Sequence, residues 1–366
     1  MKRKHRHHDQ EQGSGRRARG TEVTAKAGRV TGVGLIATSG RLTIRKMGSP
    51  AHIPRPKVEV SVITTLFNEG ATVIDLLDSV LEGTVTPDEV VVADGGSTDG
   101  TLELLARYAS QHREVRIIRD SGGRSAGRNA AITAAKHERI VCIDGGCAAA
   151  PNWLAEITKP LTAGTEWVGG FYQPNGETAL STAIGLTMVF VIEEVGPDYV
   201  PSARSMAFEK RLWEEVGGFP EEVQYGEDTF FDQALIEAGY RPEFAPEAIV
   251  LWRPPSGLAS QARTMFSWGR GDGLLGLRSN HYRRLLALFS ATFALVLAGV
   301  VVDARILLLT VAPLAPTLYR QTRHKYRHMD GWVKWGLIPM ATVNGLGSSL
   351  IGFIAGYLAK SRSSTE

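Results

Sequence analysis

The amino-acid sequence predicts an α/β domain with a mostly parallel sheet flanked by helices, followed by C-terminal transmembrane helices. Three observations lead to this prediction. Apolar, strand-like runs alternate with short helix-like stretches between residues 58 and 143. Ligand-type side chains stand at or just past the ends of those runs. Long uncharged segments occupy much of residues 285–358, where a membrane-spanning region is expected.

The first part of the domain shows a regular order of elements. Strands are expected at residues 58–64, 89–93, 115–118 and 139–143, and helices at residues 71–81, 101–109 and from residue 123. The spacing in the first helix predicts that Ile74, Leu77 and Leu81 share one face. Strands separated by such helices form a parallel sheet, in which a ligand lies outside the carboxyl ends of the strands.

Residues 1–56 are predicted to be a disordered basic tail. Residues 1–46 carry twelve Lys/Arg and three Asp/Glu, although the net charge of the whole chain is only +3. The tail is expected to be solvated, with a metal-binding or nucleic-acid-binding tract as the alternative. The rest of the chain is acidic, so its charge does not favour nucleic acid as a partner.

The number and position of the cysteines indicate the redox environment of the domain. Cys142 and Cys147 are the two cysteines of the chain, and Cys142 lies in an apolar, strand-like run. This pattern offers neither a disulfide framework nor zinc-ligand spacing. We therefore expect the domain to lie in a reducing, cytosolic environment.

Three uncharged segments follow at residues 285–302, 306–319 and 336–358. At 1.5 Å per residue, the first and third reach roughly 27 and 34 Å, enough for a hydrocarbon core of about 30 Å. The middle segment reaches about 21 Å and contains Pro313 and Pro316, so we expect it to be short, tilted or re-entrant. The basic residues that flank these segments favour the cytoplasmic side.

The predicted domain boundaries follow from these segments. Two to three transmembrane segments are expected within residues 285–358, after an amphipathic juxtamembrane segment at 256–284 and before a tail at 359–366. The third segment either crosses the membrane once or folds back at Asn344 and Gly345. A soluble helical hairpin is the alternative, but such helices normally show a polar face.

The stretch at residues 90–101 is the centre of the predicted site. A β-branched run ends at Asp94, and a Gly-rich turn and a Ser/Thr/Asp cluster then lead to a helix from Thr101. Small residues let a ligand lie against the backbone, and the Asp94 carboxylate can accept hydrogen bonds from it. By itself this pattern also fits an ordinary strand-to-helix turn. Four ligand-type side chains stand at or just past predicted strand ends: Glu69, Asp94, Arg128 and Asp144. Their convergence on one edge of the sheet favours a ligand site over an ordinary turn.

Residues 58–252 resemble the family 2 glycosyltransferases of the GT-A fold. The matching motifs are residues 65–69 (Thr-Leu-Phe-Asn-Glu), 94–101, 123–129 (Gly-Arg-Ser-Ala-Gly-Arg-Asn), 144–146 (Asp-Gly-Gly), 216–220 (Val-Gly-Gly-Phe-Pro) and 226–229 (Gly-Glu-Asp-Thr). Each motif is weak alone, but their order and spacing together carry the resemblance. It implies a nucleotide-sugar glycosyltransferase domain at residues 57–255.

The resemblance also implies roles on the donor side. Thr65, Phe67 and Glu69 would border the base and ribose of a nucleotide-diphosphate sugar, and Asp94 would hydrogen-bond the base. Arg128 would help to hold the nucleotide through a charge-assisted pair with phosphate. The alternative for Arg128 is an arginine on a helix surface.

Asp144 matches the first position of the family's Asp-X-Asp element, which implies a divalent cation, Mg²⁺ or Mn²⁺, on the diphosphate. The third position of this element is Gly146 in this chain, so one oxygen ligand is missing. Asp144, the diphosphate and water would then hold the cation with few protein contacts.

Glu227 and Asp228 match the family's acidic pair on the acceptor side. Asp228 is expected to be the base that takes the proton of an acceptor hydroxyl, with Glu227 as its neighbour or as an acceptor contact. One displacement with a single base inverts the anomeric carbon. The alternative is that Asp228 only stabilises the first turn of a helix running through Gly239.

The segment before the membrane carries weaker signals. Arg253 stands where many relatives carry a histidine that can touch the metal, and its charge could neutralise the leaving diphosphate. Gln261, Arg263 and Trp268 loosely resemble the family's Gln-X-X-Arg-Trp region. This segment either closes over donor and acceptor or lies along the lipid interface with Trp268 as an anchor.

The predicted function is that of a membrane-anchored inverting glycosyltransferase in cell-surface polysaccharide or glycolipid biosynthesis. A multi-pass location in the cytoplasmic membrane is expected, with the catalytic domain in the cytosol and a lipid-linked or saccharide acceptor. The alternatives are a polyprenyl-phosphate glycosyltransferase, a non-catalytic nucleotide-sugar-binding membrane scaffold and a nucleotidyl transferase. The sequence lacks a Walker motif, which argues against an NTPase.

Overall fold

The computed structural model of the protein describes residues 55–197, 199–222 and 225–363. The predicted basic tail at residues 1–56 lies almost entirely outside the described residues, as do the last three residues of the predicted tail at 359–366. Within the described residues, eight strands form one sheet, and eleven α-helices flank or follow it.

The first seven elements alternate as the sequence predicts. In chain order they are β1 (Lys57–Leu66), α1 (Thr72–Leu81), β2 (Thr86–Asp94), α2 (Thr101–Ala109), β3 (Val115–Arg119), α3 (Arg124–Ala134) and β4 (Arg139–Cys142). The apolar runs of β1 and β2 are nearly continuous because both faces of these strands are covered.

The second part of the domain is less regular. Its elements are β5 (Cys147–Ala149), α4 (Trp153–Thr162), β6 (Trp167–Pro174), α5 (Ala179–Met188), β7 (Met206–Glu209), α6 (Lys210–Glu215), α7 (Glu227–Glu237) and β8 (Glu243–Trp252). Helix α7 ends at Glu237, two residues before the predicted end at Gly239.

The sheet is mixed, with strand order β3-β2-β1-β4-β7-β6-β8-β5. The strands β3, β2, β1 and β4 are parallel neighbours, and β6 is parallel to β8. Three pairs are antiparallel: β4 with β7, β6 with β7, and β5 with β8. The sequence therefore predicts the parallel half correctly, whereas β7 runs antiparallel to both of its neighbours, β4 and β6.

Two apolar cores cover the two faces of the sheet. Alternate residues of β1 point to opposite faces, so Val62 packs against α1 and α4 while Ile63 packs on the opposite face with α3 and α7. The residues of the predicted apolar face of α1, Ile74, Leu77 and Leu81, all pack on one core. The fully buried residues of this helix are Val73, Leu76, Leu77 and Val80, whereas Ile74 and Leu81 are only partly buried.

The C-terminal region begins with α8 (Leu258–Leu275), followed by α9 (Ser279–Val301), α10 (Ala315–Thr322) and α11 (Lys334–Ser363). Two of these helices, α9 and α11, are long and apolar enough to cross a membrane. The middle segment at residues 306–319 is broken between a 3-10 helix and α10, as its two prolines suggest. Helix α11 continues through Asn344, so the chain does not fold back there.

Helices α8 and α11 pack at backbone-to-backbone distance. A Cβ on Gly352 would clash with the carbonyl oxygen of Phe266, and one on Gly269 would clash with that of Ser349. Only glycine allows two helices to approach so closely. The contact fixes α8, and with it Trp268, against the sheet domain.

Candidate active site

A cavity of about 590 Å³ opens at the carboxyl ends of β1, β2 and β4. The predicted site residues Thr65, Phe67, Glu69 and Asp144 line it directly. Asp94 itself is buried, but its neighbours Ala93 and Gly95 form part of the wall. The other lining residues are Leu66, Asp120, Ser121, Gly122, Gly123, Arg124, Gly127, Gly145 and Tyr225.

The turn after β2 is built around the Asp94 carboxylate. Its Oδ2 accepts hydrogen bonds of 3.1 Å from the backbone N–H groups of Gly96 and Ser97. Its Oδ1 is buried and has no hydrogen-bond partner among the described residues. A buried carboxylate oxygen normally has a donor, so Oδ1 is the atom of this turn whose hydrogen-bonding capacity is unused among the described residues.

The loop after β1 is tied to the same turn. The N–H of Thr98 donates to Asn68 Oδ1 at 2.8 Å, and the N–H of Asn68 donates to Ser97 Oγ at 2.9 Å. Asn68 has a φ of 54°, a left-handed conformation that asparagine tolerates better than most residues. This arrangement leaves the Phe67 side chain 61 % exposed at the rim of the cavity. An exposed aromatic ring there is suited to stacking against a planar group.

Glu69 and the glycine after Asp144 fit against each other. Glu69 Oε2 accepts a hydrogen bond of 3.1 Å from Thr72 Oγ1, and burial raises the pKa of the Glu69 carboxyl above its ordinary value. A Cβ on Gly145 would lie 2.5 Å from Glu69 Oε1. Gly145 is therefore required for close approach rather than for chain flexibility.

Arg128 is the buried centre of the site. Its guanidinium donates to Asp144 Oδ1 at 2.9 Å and to Glu227 Oε1 at 3.1 Å, and it lies 4.8 Å from the centre of the Phe219 ring. The side chain is only 2 % exposed, so it is not a helix-surface arginine. It does not line the cavity, and its charge already faces two protein carboxylates. The geometry does not support the predicted direct contact between Arg128 and phosphate.

A second arginine of the same motif faces the cavity instead. Arg124 lines the wall, lies 5.0 Å from the centre of the Tyr225 ring and stands 3.8 Å from Glu227. Sequence reasoning missed this residue, although it lies in the motif at residues 123–129. The glycines before it and its position at the start of α3 are the signals that could have identified it.

The motif at residues 216–220 has a structural role. Asn129 Oδ1 accepts hydrogen bonds from Phe219 N–H and from Trp213 Nε1, each at 2.9 Å. Gly218 has a φ of +78°, which lets the chain turn beside this amide. The result is a fixed Phe219 ring beneath the Arg128 guanidinium.

The acidic pair begins α7, after the left-handed Gly226. Glu227 is buried. Its burial and the neighbouring Asp228 raise the pKa of its carboxyl above the ordinary value, although Arg128 acts in the opposite direction. Asp228 is half-buried, so it alone of the pair is accessible to an acceptor. Its Oδ2 accepts a hydrogen bond of 3.1 Å from Ser202 Oγ. Its Oδ1 accepts one of 2.8 Å from its own neighbour, Thr229 N–H, so a role in the first helical turn is compatible with a role as base.

The three residues predicted in the closing segment separate in the structure. The centre of the Trp268 ring lies 5.5 Å from the Arg204 guanidinium. Arg204 donates a hydrogen bond to Ser202, which in turn donates one to Asp228, so contacts connect Trp268 to the candidate base. Gln261 is fully buried and bonds Thr187, Ala341 and Asn344, so it joins α8 to α5 and α11. Arg263 is exposed and bonds the carbonyl of Ala259 on its own helix. Of the three, Trp268 is the residue whose contacts lead toward Asp228, and its contact with the acceptor stays a prediction.

No group of three or more His, Cys, Asp or Glu side chains that could hold a metal ion is found among residues 55–197, 199–222 and 225–363. Among the carboxylates that line the cavity, Asp144 is the one that the sequence predicted for such a role. Burial raises the pKa of its carboxyl, but Arg128, Arg124 and Arg204 together hold it below the ordinary value, so the group stays ionised. One carboxylate together with substrate phosphates is a common way for proteins to hold Mg²⁺. The residues present thus fit a cation that the substrate holds in large part.

Comparisons with known proteins identify the family that the sequence resembles. The sequence model for glycosyl transferase family 2 matches residues 61–203. The glycosyltransferase AglE of Haloferax volcanii is 27 % identical over 221 residues, which cover 58 % of this chain and 72 % of AglE. The O-antigen chain rhamnosyltransferase RfbN of Salmonella typhimurium is 26 % identical over 213 residues, which cover 53 % of this chain but only 66 % of RfbN.

A solved structure supports the fold. The mannosyltransferase PcManGT from Pyrobaculum calidifontis, solved in complex with GDP-Man and Mn²⁺, matches with a TM-score of 0.58 and 21 % identity. The match covers 82 % of this chain and 89 % of that chain. The chain therefore contains a glycosyl transferase family 2 domain, and it is a glycosyltransferase of the GT-A fold.

Proposed function

We propose that this glycosyltransferase moves a sugar, with inversion, from a nucleotide-diphosphate sugar to a hydroxyl of a cell-surface polysaccharide or glycolipid. One observation carries the proposal. The Arg128 guanidinium joins Asp144, at the cavity, to Glu227, beside Asp228. The expected donor-side and acceptor-side carboxylates therefore meet at one edge of the sheet, as transfer between two substrates requires.

The donor is proposed to lie in the cavity at the ends of β1 and β2. The exposed Phe67 ring is suited to stack on the base, and the unpaired Asp94 Oδ1 is suited to accept a base N–H. Thr65 and Glu69 border the ribose in this proposal. Arg124 takes the role toward the diphosphate that the sequence suggested for Arg128, because it faces the cavity and Arg128 does not.

A divalent cation, Mg²⁺ or Mn²⁺, is proposed to bind at Asp144. When bound, it would neutralise charge on the diphosphate and so favour its departure. The chain's own contribution is an ionised Asp144, which Arg128 holds in position by a hydrogen bond of 2.9 Å.

The proposed base is Asp228. Its carboxylate takes the proton of the acceptor hydroxyl as the oxygen attacks the anomeric carbon, and the bond from that carbon to the diphosphate oxygen breaks. Ser202 orients the carboxylate through its hydrogen bond. Glu227 is proposed to act as the buried neighbour, because Arg128 and Arg124 already face its carboxylate.

A location at the membrane is part of the proposal. Helices α9 and α11 are long and apolar enough to span a bilayer, and many large apolar side chains of α9 are exposed. A cytoplasmic membrane with the catalytic domain in the cytosol agrees with the basic residues between the two helices.

A second candidate function is transfer to a lipid that already carries a phosphate, such as a polyprenyl phosphate. The observation that favours it is Arg278, whose Nη2 donates to Thr229 Oγ1 at 3.3 Å. This arginine stands just before α9, is exposed, and pairs with the buried Asp272 at 3.3 Å. Its contact with Thr229, the residue after Asp228, places it where a lipid phosphate would arrive in this proposal. Such an acceptor is already an anion, so a base would matter less.

The experiment is a donor screen on membranes that contain the full-length protein. Nucleotide sugars are supplied one at a time with Mg²⁺ or Mn²⁺, and release of the nucleoside diphosphate is measured. Product analysis with hydroxyl and lipid-phosphate acceptors separates the two candidate functions. Release of inorganic diphosphate instead of the nucleoside diphosphate would indicate nucleotidyl transfer. Nucleotide binding without turnover would indicate a non-catalytic scaffold. Either result would overturn the proposal.

A further inference from the structure

An arginine outside the recognised motifs is held in an aromatic cage near the acidic residues. The Arg204 guanidinium lies 5.1 Å from the centre of the Tyr172 ring, 5.0 Å from that of Trp252 and 5.5 Å from that of Trp268. These rings come from β6, β8 and α8, so three separate elements converge on one side chain. Ring faces at such distances attract a cation and fix its orientation.

The cage holds the arginine without neutralising it. Among the described residues, no carboxylate oxygen lies within 4.0 Å of Arg204, in contrast to Arg128. Its hydrogen bond is the one of 3.1 Å to Ser202 Oγ. A guanidinium has five N–H donors, so most of them remain for another acceptor. Arg204 is half-buried and lies outside the lining of the cavity described above, so its unused donors are suited to an anion that extends past Asp144.

The cage lies beside the turn that follows Asp144. Trp252 pairs with Cys147 in the antiparallel register of β8 and β5, and Arg253 N–H donates to the carbonyl of Gly146 at 3.0 Å. Burial lowers the pKa of Arg204, but the nearby Tyr172, Asp144 and Asp228 raise it above its ordinary value, so the guanidinium stays charged. Gly146 brings no carboxylate to this turn, so Asp144 is its single anionic group.

We propose that Arg204 binds the diphosphate of the donor and compensates part of its charge in place of a second cation-binding carboxylate. The inference rests on the proposed function and names one further residue of that site. As the bond from the anomeric carbon breaks, its electron pair stays on the diphosphate oxygen, and the Arg204 guanidinium donates hydrogen bonds to this anion while keeping its own protons. The site would therefore bind a nucleoside diphosphate appreciably without a divalent cation.

The test measures binding rather than turnover. Full-length wild type, Arg204→Met and Arg204→Lys are titrated with UDP, GDP and dTDP by calorimetry, once in EDTA and once with Mn²⁺. Met fills the cage with an apolar chain, and thermal unfolding checks that each variant is folded. Arg107→Met, on the exposed face of α2, is the matched control.

We expect the wild type to bind at least one of these nucleotides in EDTA. Arg204→Met should weaken that binding by about tenfold or more, as expected for a lost charge-assisted hydrogen bond, and should weaken binding with Mn²⁺ less. Arg204→Lys should recover part of the loss. Equal binding by Arg204→Met and wild type in EDTA, or wild-type binding only with Mn²⁺, would overturn the role of Arg204 and leave the proposed function standing. Wild type that binds no nucleotide in either condition would overturn both.

Discussion

Arg128 Nη1 donates a hydrogen bond of 3.1 Å to Oε1 of Glu227, across 99 positions of sequence. The pair joins the middle of α3, beside the donor cavity, to the start of α7, beside the candidate base. The same guanidinium also holds Asp144. Three side chains thus form one buried charged network. A shift of the carboxylate on the donor side would therefore change the position of the carboxylate on the acceptor side.

Replacing Arg128 should destabilise the protein strongly. Arg128→Met leaves Glu227 and Asp144 without their shared cation, at a cost of about 3–5 kcal/mol, the usual effect of breaking a buried ion pair. Arg128→Lys should lose less, although its single ammonium cannot replace a forked donor. The measurement is denaturant unfolding of the full-length protein in detergent, with Arg107→Met as an exposed control. A loss below about 1 kcal/mol, the range of a surface pair, would contradict the network.

Two adjacent glycines should respond differently to alanine. Gly145→Ala would push its Cβ against Glu69 Oε1, so Glu69 must move and the cavity wall changes. Gly146→Ala meets nothing within 4 Å and only carries the strain of its φ of +70°, about 1 kcal/mol. We expect the donor KM to rise about tenfold or more in Gly145→Ala and to change little in Gly146→Ala, given the cost of overpacking. Steady-state kinetics with the donor found by screening provide the measurement, and equal KM values would count against the assigned cavity.

Asp232 should make stability depend on pH. Its carboxyl is buried on α7 with no hydrogen-bond partner among the described residues, and burial and Asp228 raise its pKa well above the ordinary value of 3.8. Between that ordinary value and the raised one, the unfolded chain is ionised while the folded chain keeps its proton. Stability should therefore fall as pH rises, by about 1.4 kcal/mol per pH unit from this group.

Asp232→Asn removes that ionisation while keeping the shape of the side chain. The variant should gain stability relative to wild type at pH 8 and show little difference at pH 4. The measurement is the free energy of unfolding across this pH range. A constant difference between the two proteins at every pH would show that Asp232 does not titrate as its burial requires.

The contact between α8 and α11 depends on glycine. Gly352→Ala would force its Cβ into the carbonyl oxygen of Phe266, and the helices must separate, at a cost of about 1–3 kcal/mol. Gly336→Ala, in the first turn of α11, meets nothing within 4 Å and should be neutral or stabilising by up to about 1 kcal/mol. Thermal unfolding in detergent compares the two variants. Similar midpoints would mean that the helices do not pack through Gly352.

Much of the fold could be predicted from local patterns. Apolar runs ending in Asp94 and Asp144 identify buried strands and their carboxyl ends, and the uncharged C-terminal segments identify α9 and α11. The antiparallel pairs of β7 could not be predicted, because strand direction depends on the path of the intervening loop rather than on composition. The buried surface of α1 is wider than its predicted face, because apolar residues occupy more than one stripe of that short helix.

Some residues of the site could be predicted from the sequence, and others could not because their contacts are distant in sequence. Residues at strand ends, such as Thr65 and Asp144, follow from the topology of a parallel sheet. The burial of Arg128 depends on Glu227, which is far away in sequence, so no local pattern reports it. The cage around Arg204 draws its rings from residues 172, 252 and 268, and only the folded chain brings them together.

The central claim is that sugar transfer depends on Asp228 acting as a base opposite the donor cavity. The most direct measurement compares the rate of transfer to a hydroxyl acceptor, and separately the affinity for the donor, in wild type and Asp228→Asn, with Glu222→Gln as an exposed control. We predict a fall in kcat by a factor of about 10²–10⁴, typical of a lost general base, with donor affinity unchanged. An unaltered kcat in Asp228→Asn would contradict the account.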